Sequence, residues 1–336
     1  MHSINTIDLH TEGEPLRIIV DGFPELEGDS ILARRDFLAA RHDHLRRSLL
    51  WEPRGHVDMY GALPVRPERA DSHVGVLFLH NEGYSTMCGH AIIGLVKAGV
   101  EHALFDFETP EQIRIDTPAG QVQACAEMEG GRVTSVRFRN VPSFLLHDRA
   151  RVTTPEIGVL QIDLAYGGAF YAVVDAAALG LAIDRSNCRA LTDAAMKIKA
   201  AVSQQLEISH PDGDTRLGFL YGTILTGPAD SGRHSRNVCV FADGEVDRSP
   251  TGTGVSARAA IHYARGELSL GQWIDVESII GSHFSVRVVE EARVGAQAAV
   301  VPEVRGRAWV TGEHCFHIDP EDPLRHGFLL RQEPAP

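Results

Sequence analysis

The sequence predicts an α+β protein of two pseudo-symmetric domains, each with curled antiparallel strands around a central helix. Three observations carry this expectation. The chain is written twice: Ile7-Asp8-Leu9 with Gly13 returns as Ile162-Asp163-Leu164 with Gly168, Val20-Asp21 as Val174-Asp175, Tyr60-Gly61-Ala62-Leu63 as Tyr221-Gly222-Thr223-Ile224, and Cys88-Gly89 as Thr251-Gly252. The matches keep their order while the offset widens from 155 residues at Ile7/Ile162 to 163 at Cys88/Thr251, so the repeating unit is a whole domain rather than a short solenoid module. The order of strands and helices is mixed rather than a regular βαβ series, which disfavours a doubly wound sheet. A length of 336 residues with 43% apolar content is enough for two cores.

Each half follows one plan. A strand pair opens it, expected over 3–9 and 16–20, then over 159–164 and 170–174, from alternating and β-branched residues. A longer amphipathic helix follows. In the first half it is expected over 30–50; in the second, Leu191, Ala195, Ile198 and Val202 step by four, three and four along one apolar stripe. Next comes a strand ending in an acidic glycine turn, Val76-Leu77-Phe78-Leu79 before Glu82-Gly83 and Val238-Cys239-Val240-Phe241 before Asp243-Gly244. A short loop leads to a second helix, expected from Gly89 to a stop at Gly99 and from Gly252 to a stop at Gly266, glycine being the usual residue just past a last turn. Strands over 113–140 and 274–310 close the halves. With no low-complexity linker, the domains are expected in direct contact. One spans 1–145 plus the tail at about 320–336, the other 146–319, with the repeat junction near 145–158.

A net charge of −13 argues against nucleic acid or an anionic membrane as partner, yet permits an anionic substrate wherever local backbone dipoles override it. Residues 1–8 carry no basic region or apolar core, and the longest uncharged apolar stretch, 164–174, is too short to cross a bilayer. The five cysteines (88, 125, 188, 239 and 315) are scattered without a CxxC pair, which reads as a cytoplasmic protein with reduced thiols.

The chemistry gathers in two loops. Cys88 stands one residue before a helix that begins Gly89-His90. Free amides at a helix start lower a thiol pKa from its usual value of ~8.5 and bind carboxylates, and a glycine there lets a ligand approach the backbone. The matching loop is Asp247-Arg248-Ser249-Pro250-Thr251-Gly252-Thr253-Gly254. Alone it would read as a threonine N-cap beside a surface or helix-dipole charge. Paired with Cys88 by the repeat, it suggests two helix starts facing one ligand across a cleft. Backbone amides of Gly89, His90, Gly252 and Thr253 would grip one carboxylate, and Asp247 with His90 would take a cationic amine. A small amino acid meets both demands.

These segments resemble the proline racemase family. The matching residues are Asp8-x-His10-Thr11-x-Gly13-x-Pro15, Glu52-Pro53-Arg54-Gly55-His56-x-Asp58-Met59, Met87-Cys88-Gly89-His90, Gly167-Gly168-x-Phe170-Tyr171, Asp247-Arg248-Ser249-Pro250-x-Gly252-Thr253-Gly254, Glu277-Ser278-Ile279-Ile280-Gly281 and Asp319-Pro320-x-Asp322-Pro323, covering nearly the whole chain. The resemblance implies a diaminopimelate epimerase-like fold with the active site between the domains, a small imino-acid substrate, no cofactor or metal, and a homodimer. Racemases and epimerases of the family place a second cysteine where this chain has Thr251. An alkyl hydroxyl is too weak an acid to supply a base near neutral pH, so two-base racemisation is not expected. A Cys/Thr pair is similar to the branch that dehydrates trans-3-hydroxy-L-proline, and Cys88 is the expected base, later acting as acid, with Thr251 on the other face. In that substrate the α-hydrogen and the hydroxyl share a ring face, so one group could serve both. The enediolate-like charge would fall to the backbone amides. The alternatives are a 4-hydroxyproline epimerase or proline racemase, and a non-catalytic amino-acid-binding protein.

Tyr60 and Phe241 are candidate ring walls, although core packing suits them equally. His42-Asp43-His44 reads as a solvated stretch of the first helix, because residues two apart do not share a face. His314-Cys315-Phe316-His317 lacks a second cluster at ligand spacing. His10 and His56 read as loop supports, and Cys125, Cys188 and Cys239 as buried, inert thiols.

Overall fold

In the computed structural model, which describes residues 1–107 and 109–330, both halves repeat one ladder of strand pairings. The tail residues 331–336, expected to join the first domain, lie outside the described residues. In the first half, His2–Thr11 pairs antiparallel with Glu14–Asp21 and with Ala308–Ile318. Glu14–Asp21 then runs parallel to Gly61–Val65, which turns back on Val74–Leu79. Val74–Leu79 lies parallel to Ile113–Thr117, and Gly120–Glu129 and Arg132–Arg139 follow antiparallel. The second half reproduces this from Phe144–Thr154 and Gly158–Tyr166 through to His283–Val294 and Gln297–Gly306. Arg132–Arg139 pairs with Gln297–Gly306, so the halves share one continuous sheet.

Two features differ from the expectation of antiparallel strands. Each half contains two parallel pairings, at Glu14–Asp21/Gly61–Val65 and Val74–Leu79/Ile113–Thr117 and at their counterparts. Long crossovers containing the helices make them possible, and single-strand patterning does not report crossover direction. The strand Ala308–Ile318 belongs, by its pairing with His2–Thr11, with the first half. We assign it there, so the second repeat is read as ending near Gly306 rather than at 319.

Five α-helices are present among the described residues: α1 (Ile31–Arg41), α2 (Asp43–Leu50), α3 (Gly89–Glu101), α4 (Cys188–Gln205) and α5 (Gly252–Ala264). The single helix expected over 30–50 is broken at His42, whose backbone (φ −130°, ψ 14°) ends α1 while its N–H still bonds to Leu38. Asp43 there is not simply solvated, since it accepts from Arg46 and from the Tyr84 hydroxyl. Helix α3 continues past Gly99 to Glu101. That glycine serves packing rather than termination, because a β-carbon there would meet the Phe105 ring at 2.8 Å. The α4 stripe of Leu191, Ala195, Ile198 and Val202 is buried as its periodicity predicts.

Helices α3 and α5 are the axes of the halves. Residues 89–99 and 252–261 are buried on every side, the pattern of a helix wrapped by sheet rather than laid upon it. Even Arg258 of α5 is enclosed, donating to Asn237 and Ser235. The two helices point their N-termini at each other. A β-carbon on Gly89 would stand 2.6 Å from the Gly252 Cα, and the converse distance is also 2.6 Å. Only glycine at both positions allows this approach.

Candidate active site

Two helix starts in contact concentrate free amides at one point. The first intrahelical bonds are made by Ile92 to Cys88 and Val255 to Thr251, so the amides of residues 89–91 and 252–254 have no partner within their own helices. A small cavity with buried lining adjoins them at the boundary between halves. It is lined by Tyr60, Met87, Cys88, Gly89 and His90 from one side, and by Tyr171, Tyr221, Phe241, Asp247, Thr251, Gly252 and Thr253 from the other. All nine residues singled out in the sequence therefore meet here. Met87, Tyr171 and Tyr221 were not singled out. Tyr221 could have been found, because the repeat aligns it with Tyr60.

The space between these side chains is about 10 Å³, room for roughly one water molecule. Larger hollows lie elsewhere, one of about 360 Å³ beside Phe23 and Arg34 and one of about 830 Å³ beside Phe144 and Tyr263. Neither brings a thiol together with helix N-termini.

The two loops differ beyond their side chains. Cys88 precedes α3 in an extended conformation (φ −146°, ψ 112°), whereas Thr251 precedes α5 at φ +66°. That region is unusual for a β-branched residue, and such strain concentrates at functional sites. Thr251 does not cap its helix. Its hydroxyl donates to Asp247 Oδ2 at 2.8 Å, and Asp247 Oδ1 accepts from the Ser249 amide at 2.7 Å. Asn237 holds the loop from outside by donating to the Pro250 carbonyl.

Cys88 Sγ lies 3.1 Å from His90 Nδ1, and the edge of the His90 ring meets Tyr60 at a centroid distance of 4.6 Å. Burial drives the His90 pKa down to about 3, so the ring is neutral. The helix start alone does not set the Cys88 thiol. Burial pushes its pKa up, and the nearby acids Asp247 and Glu14 add to this, outweighing the Ala91 amide and the Tyr60 hydroxyl, which favour the thiolate. The helix-start effect operates, but desolvation in the small cavity exceeds it.

Asp247 is itself raised by burial. Beside it, Glu14 accepts from the Arg248 amide at 2.6 Å and is pushed well above the usual carboxylate range, chiefly by burial and then by Asp247. Glu14 was not singled out, and nothing in the order of residues marks it. Two buried acids with raised pKa values make a site suited to a cation. The cavity thus offers amides for a carboxylate, the Asp247 acid for an ammonium with Glu14 beside it, and the Cys88 sulfur.

One group among the described residues could hold a metal ion: His80, Glu82 and Glu245, whose ligand atoms lie within 4.8 Å of one another. It sits behind the cavity, with the His80 ring against Tyr60, Tyr221 and Phe241. Burial raises Glu245, while His80 holds Glu82 low against its own burial. The other sequence candidates lie apart from the cavity. His10 stacks on Trp309, and His56 Nδ1 contacts the Val57 carbonyl. Cys239 is buried as expected, but Cys125 and Cys188 are half-exposed, since their positions on a strand and at a helix start face the rim of the core.

The profile of the family described as proline racemase matches residues 6–329. The chain is 48% identical over 332 residues to a trans-3-hydroxy-L-proline dehydratase of Colwellia psychrerythraea, covering 98% of this chain and 93% of that one. It is 47% identical over 336 residues to the human trans-3-hydroxy-L-proline dehydratase, covering 98% and 95%. Among solved structures, a hydroxyproline epimerase from Agrobacterium vitis with bound trans-4-hydroxy-L-proline superposes with a TM-score of 0.91 at 32% identity, covering 98% of this chain and 96% of that one. A phenazine biosynthesis protein of the PhzF family from Bacillus anthracis, at 14% identity and TM-score 0.60 over 95% and 100% of the two chains, shares the fold.

Proposed function

The chain belongs to the proline racemase family, and on that premise we propose that it is a hydro-lyase converting trans-3-hydroxy-L-proline to 1-pyrroline-2-carboxylate. The observation that carries this reading is the asymmetry across the cavity. Cys88 stands on one side, and on the other is a threonine whose hydroxyl is engaged with Asp247. The names of relatives 47–48% identical over nearly the full length support the same substrate.

In this reading the substrate carboxylate sits between the starts of α3 and α5. Amides of Gly89, His90, Gly252 and Thr253 stabilise the charge that moves onto it as the α-proton leaves. The ring ammonium faces Asp247 and Glu14, with neutral His90 as a further acceptor. Its positive charge offsets the two acids that disfavour a Cys88 thiolate, so substrate binding and base activation are coupled. Tyr60 and Phe241 flank the ring. Cys88 removes the α-proton, and the carbanion expels the hydroxyl from the neighbouring carbon. The α-hydrogen and this hydroxyl share a face, and the count closes when one proton, the equivalent of the one taken by Cys88, departs with the oxygen as water. The resulting enamine tautomerises to the cyclic imine. Thr251 exchanges no proton.

An epimerase with the same backbone would require a second thiol at position 251. A cytoplasmic location is part of our reading, supported by five unpaired cysteines. The test is spectroscopic: incubation with trans-3-hydroxy-L-proline should produce pyrroline, detected by its ultraviolet absorbance or its aminobenzaldehyde adduct. Absence of product, together with α-proton exchange on both faces of proline, would end the dehydratase reading.

A further inference from the structure

Three hydroxyls next to the cavity have no role in the mechanism so far. Tyr60 Oη donates to Ser85 Oγ at 2.6 Å, and Ser85 Oγ lies 2.6 Å from Tyr221 Oη. All three side chains are buried, and the chain crosses from one half of the molecule to the other. Its ends are the two tyrosines that the internal repeat places in equivalent positions, and both line the cavity. Ring walls alone would need only phenylalanine, as at Phe241, which stacks on Tyr221 at 5.1 Å.

We infer that Tyr60, Ser85 and Tyr221 form a proton relay that carries the proton from Cys88 to the departing hydroxyl, with Tyr221 as the group that delivers it. This rests on the dehydratase reading.

Counting protons gives the relay its direction. Tyr60 uses its proton on Ser85. Ser85 therefore accepts, and its own proton needs an acceptor. Among the described residues Tyr221 is the partner at hand, and a fully buried serine donor left unmade is what folded chains avoid. Ser85 donates to Tyr221, which leaves the Tyr221 proton free to point into the cavity. At the other end the Tyr60 oxygen, having given its proton to Ser85, can accept, and Tyr60 lines the same small cavity as Cys88.

The step balances. The C–H bond at the α-carbon breaks and its proton joins the Cys88 thiolate, while the electron pair forms the ring double bond as the C–O bond breaks. The Cys88 proton passes to Tyr60, the Tyr60 proton to Ser85, the Ser85 proton to Tyr221, and the Tyr221 proton to the leaving oxygen. Water departs, and Cys88 is again a thiolate. Each hydroxyl gains one proton as it loses one, so no buried tyrosinate forms. Burial makes that ion costly at both Tyr60 and Tyr221.

The test uses two leaving groups with one product. Hydroxide needs a proton to depart, whereas fluoride does not. Wild type, Tyr221→Phe and Ser85→Ala are assayed for pyrroline from trans-3-hydroxy-L-proline and from trans-3-fluoro-L-proline, with pyrrole-2-carboxylate binding and thermal melting as fold controls. The relay predicts that each variant loses at least ~10²-fold in kcat on the hydroxy substrate, the ordinary scale of general acid catalysis, while keeping nearly all activity on the fluoro substrate. If Tyr221→Phe does not fold, Ser85→Ala carries the same prediction. Equal losses on both substrates would mean that the hydroxyls only latch the halves together, and undiminished turnover of the hydroxy substrate would mean that Cys88 delivers the proton unaided. Either result overturns the relay alone. Wild-type protein that makes no pyrroline from the hydroxy substrate overturns the dehydratase reading and the relay with it.

Discussion

The Thr251 hydroxyl donates to Asp247 at 2.8 Å, while across the cavity Cys88 Sγ lies 3.1 Å from the neutral ring of His90. The engaged alcohol cannot act as a base, and replacing it with a thiol supplies what the second face lacks. Thr251→Cys should therefore gain α-proton exchange with inversion on proline or 4-hydroxyproline, measured by polarimetry, whereas Thr251→Ser should gain none and keep pyrroline formation. A cysteine variant with no inversion would show that residue 251 does not face the α-carbon.

Removing the sulfur should separate chemistry from binding. Cys88→Ser replaces the thiol with a far weaker acid in the same small space. Pyrroline formation should fall by at least ~10³-fold, within the range attributed to general base catalysis. Affinity for pyrrole-2-carboxylate, a planar carbanion mimic held by the amides, should change only a few-fold by calorimetry. Retained turnover would exclude Cys88 as the base.

The contact between Gly89 and Gly252 should tolerate no side chain. A β-carbon at either position lands 2.6 Å from the opposite Cα, a backbone atom that can yield only if the helices separate. Gly89→Ala and Gly252→Ala should each cost about 1–3 kcal/mol in unfolding free energy from overpacking. Each should also lower kcat/KM by about 100-fold, because amides displaced by an ångström no longer meet the carboxylate together. Paired denaturant titrations and kinetics check both.

His90 sets an acid-side dependence. Its pKa falls from 6.5 unfolded to about 3 in the folded chain because it is buried. A depressed pKa means the unfolded state binds the extra proton first. The stabilisation is therefore complete above pH ~6.5 and is lost as pH falls from there toward 3, with a slope approaching ~1.4 kcal/mol per pH unit. Unfolding free energies between pH 7 and 4 should show a shallower decline in His90→Gln than in wild type. Parallel curves would place the His90 ring in water.

Much of this molecule could be read from the order of its residues. The repeat announces two like halves, and the α4 stripe steps at helical spacing onto a buried face. Cys88-Gly89 and Thr251-Gly252 mark the starts of the two axial helices. These are local or periodic features, and a linear pattern records them faithfully. Other features escaped that reading because they arise between residues far apart in the chain. Ser85 and Tyr221, 136 residues apart, share a 2.6 Å hydrogen bond. Glu14 reaches the Arg248 amide 234 residues away. The parallel pairings and the return of Ala308–Ile318 to the first strand are of the same kind.

The thiol shows the division most clearly. The residues around Cys88 place it at a helix start, and the amides there do favour its charged form. Whether that form prevails depends on how much water the folded halves exclude and which acids they bring alongside, and in the small cavity those terms outweigh the helix. The covalent chain thus chose the reactive groups and the faces on which they stand. Their protonation and their partners were left to burial, because desolvation and charge pairing depend on the distances that folding creates.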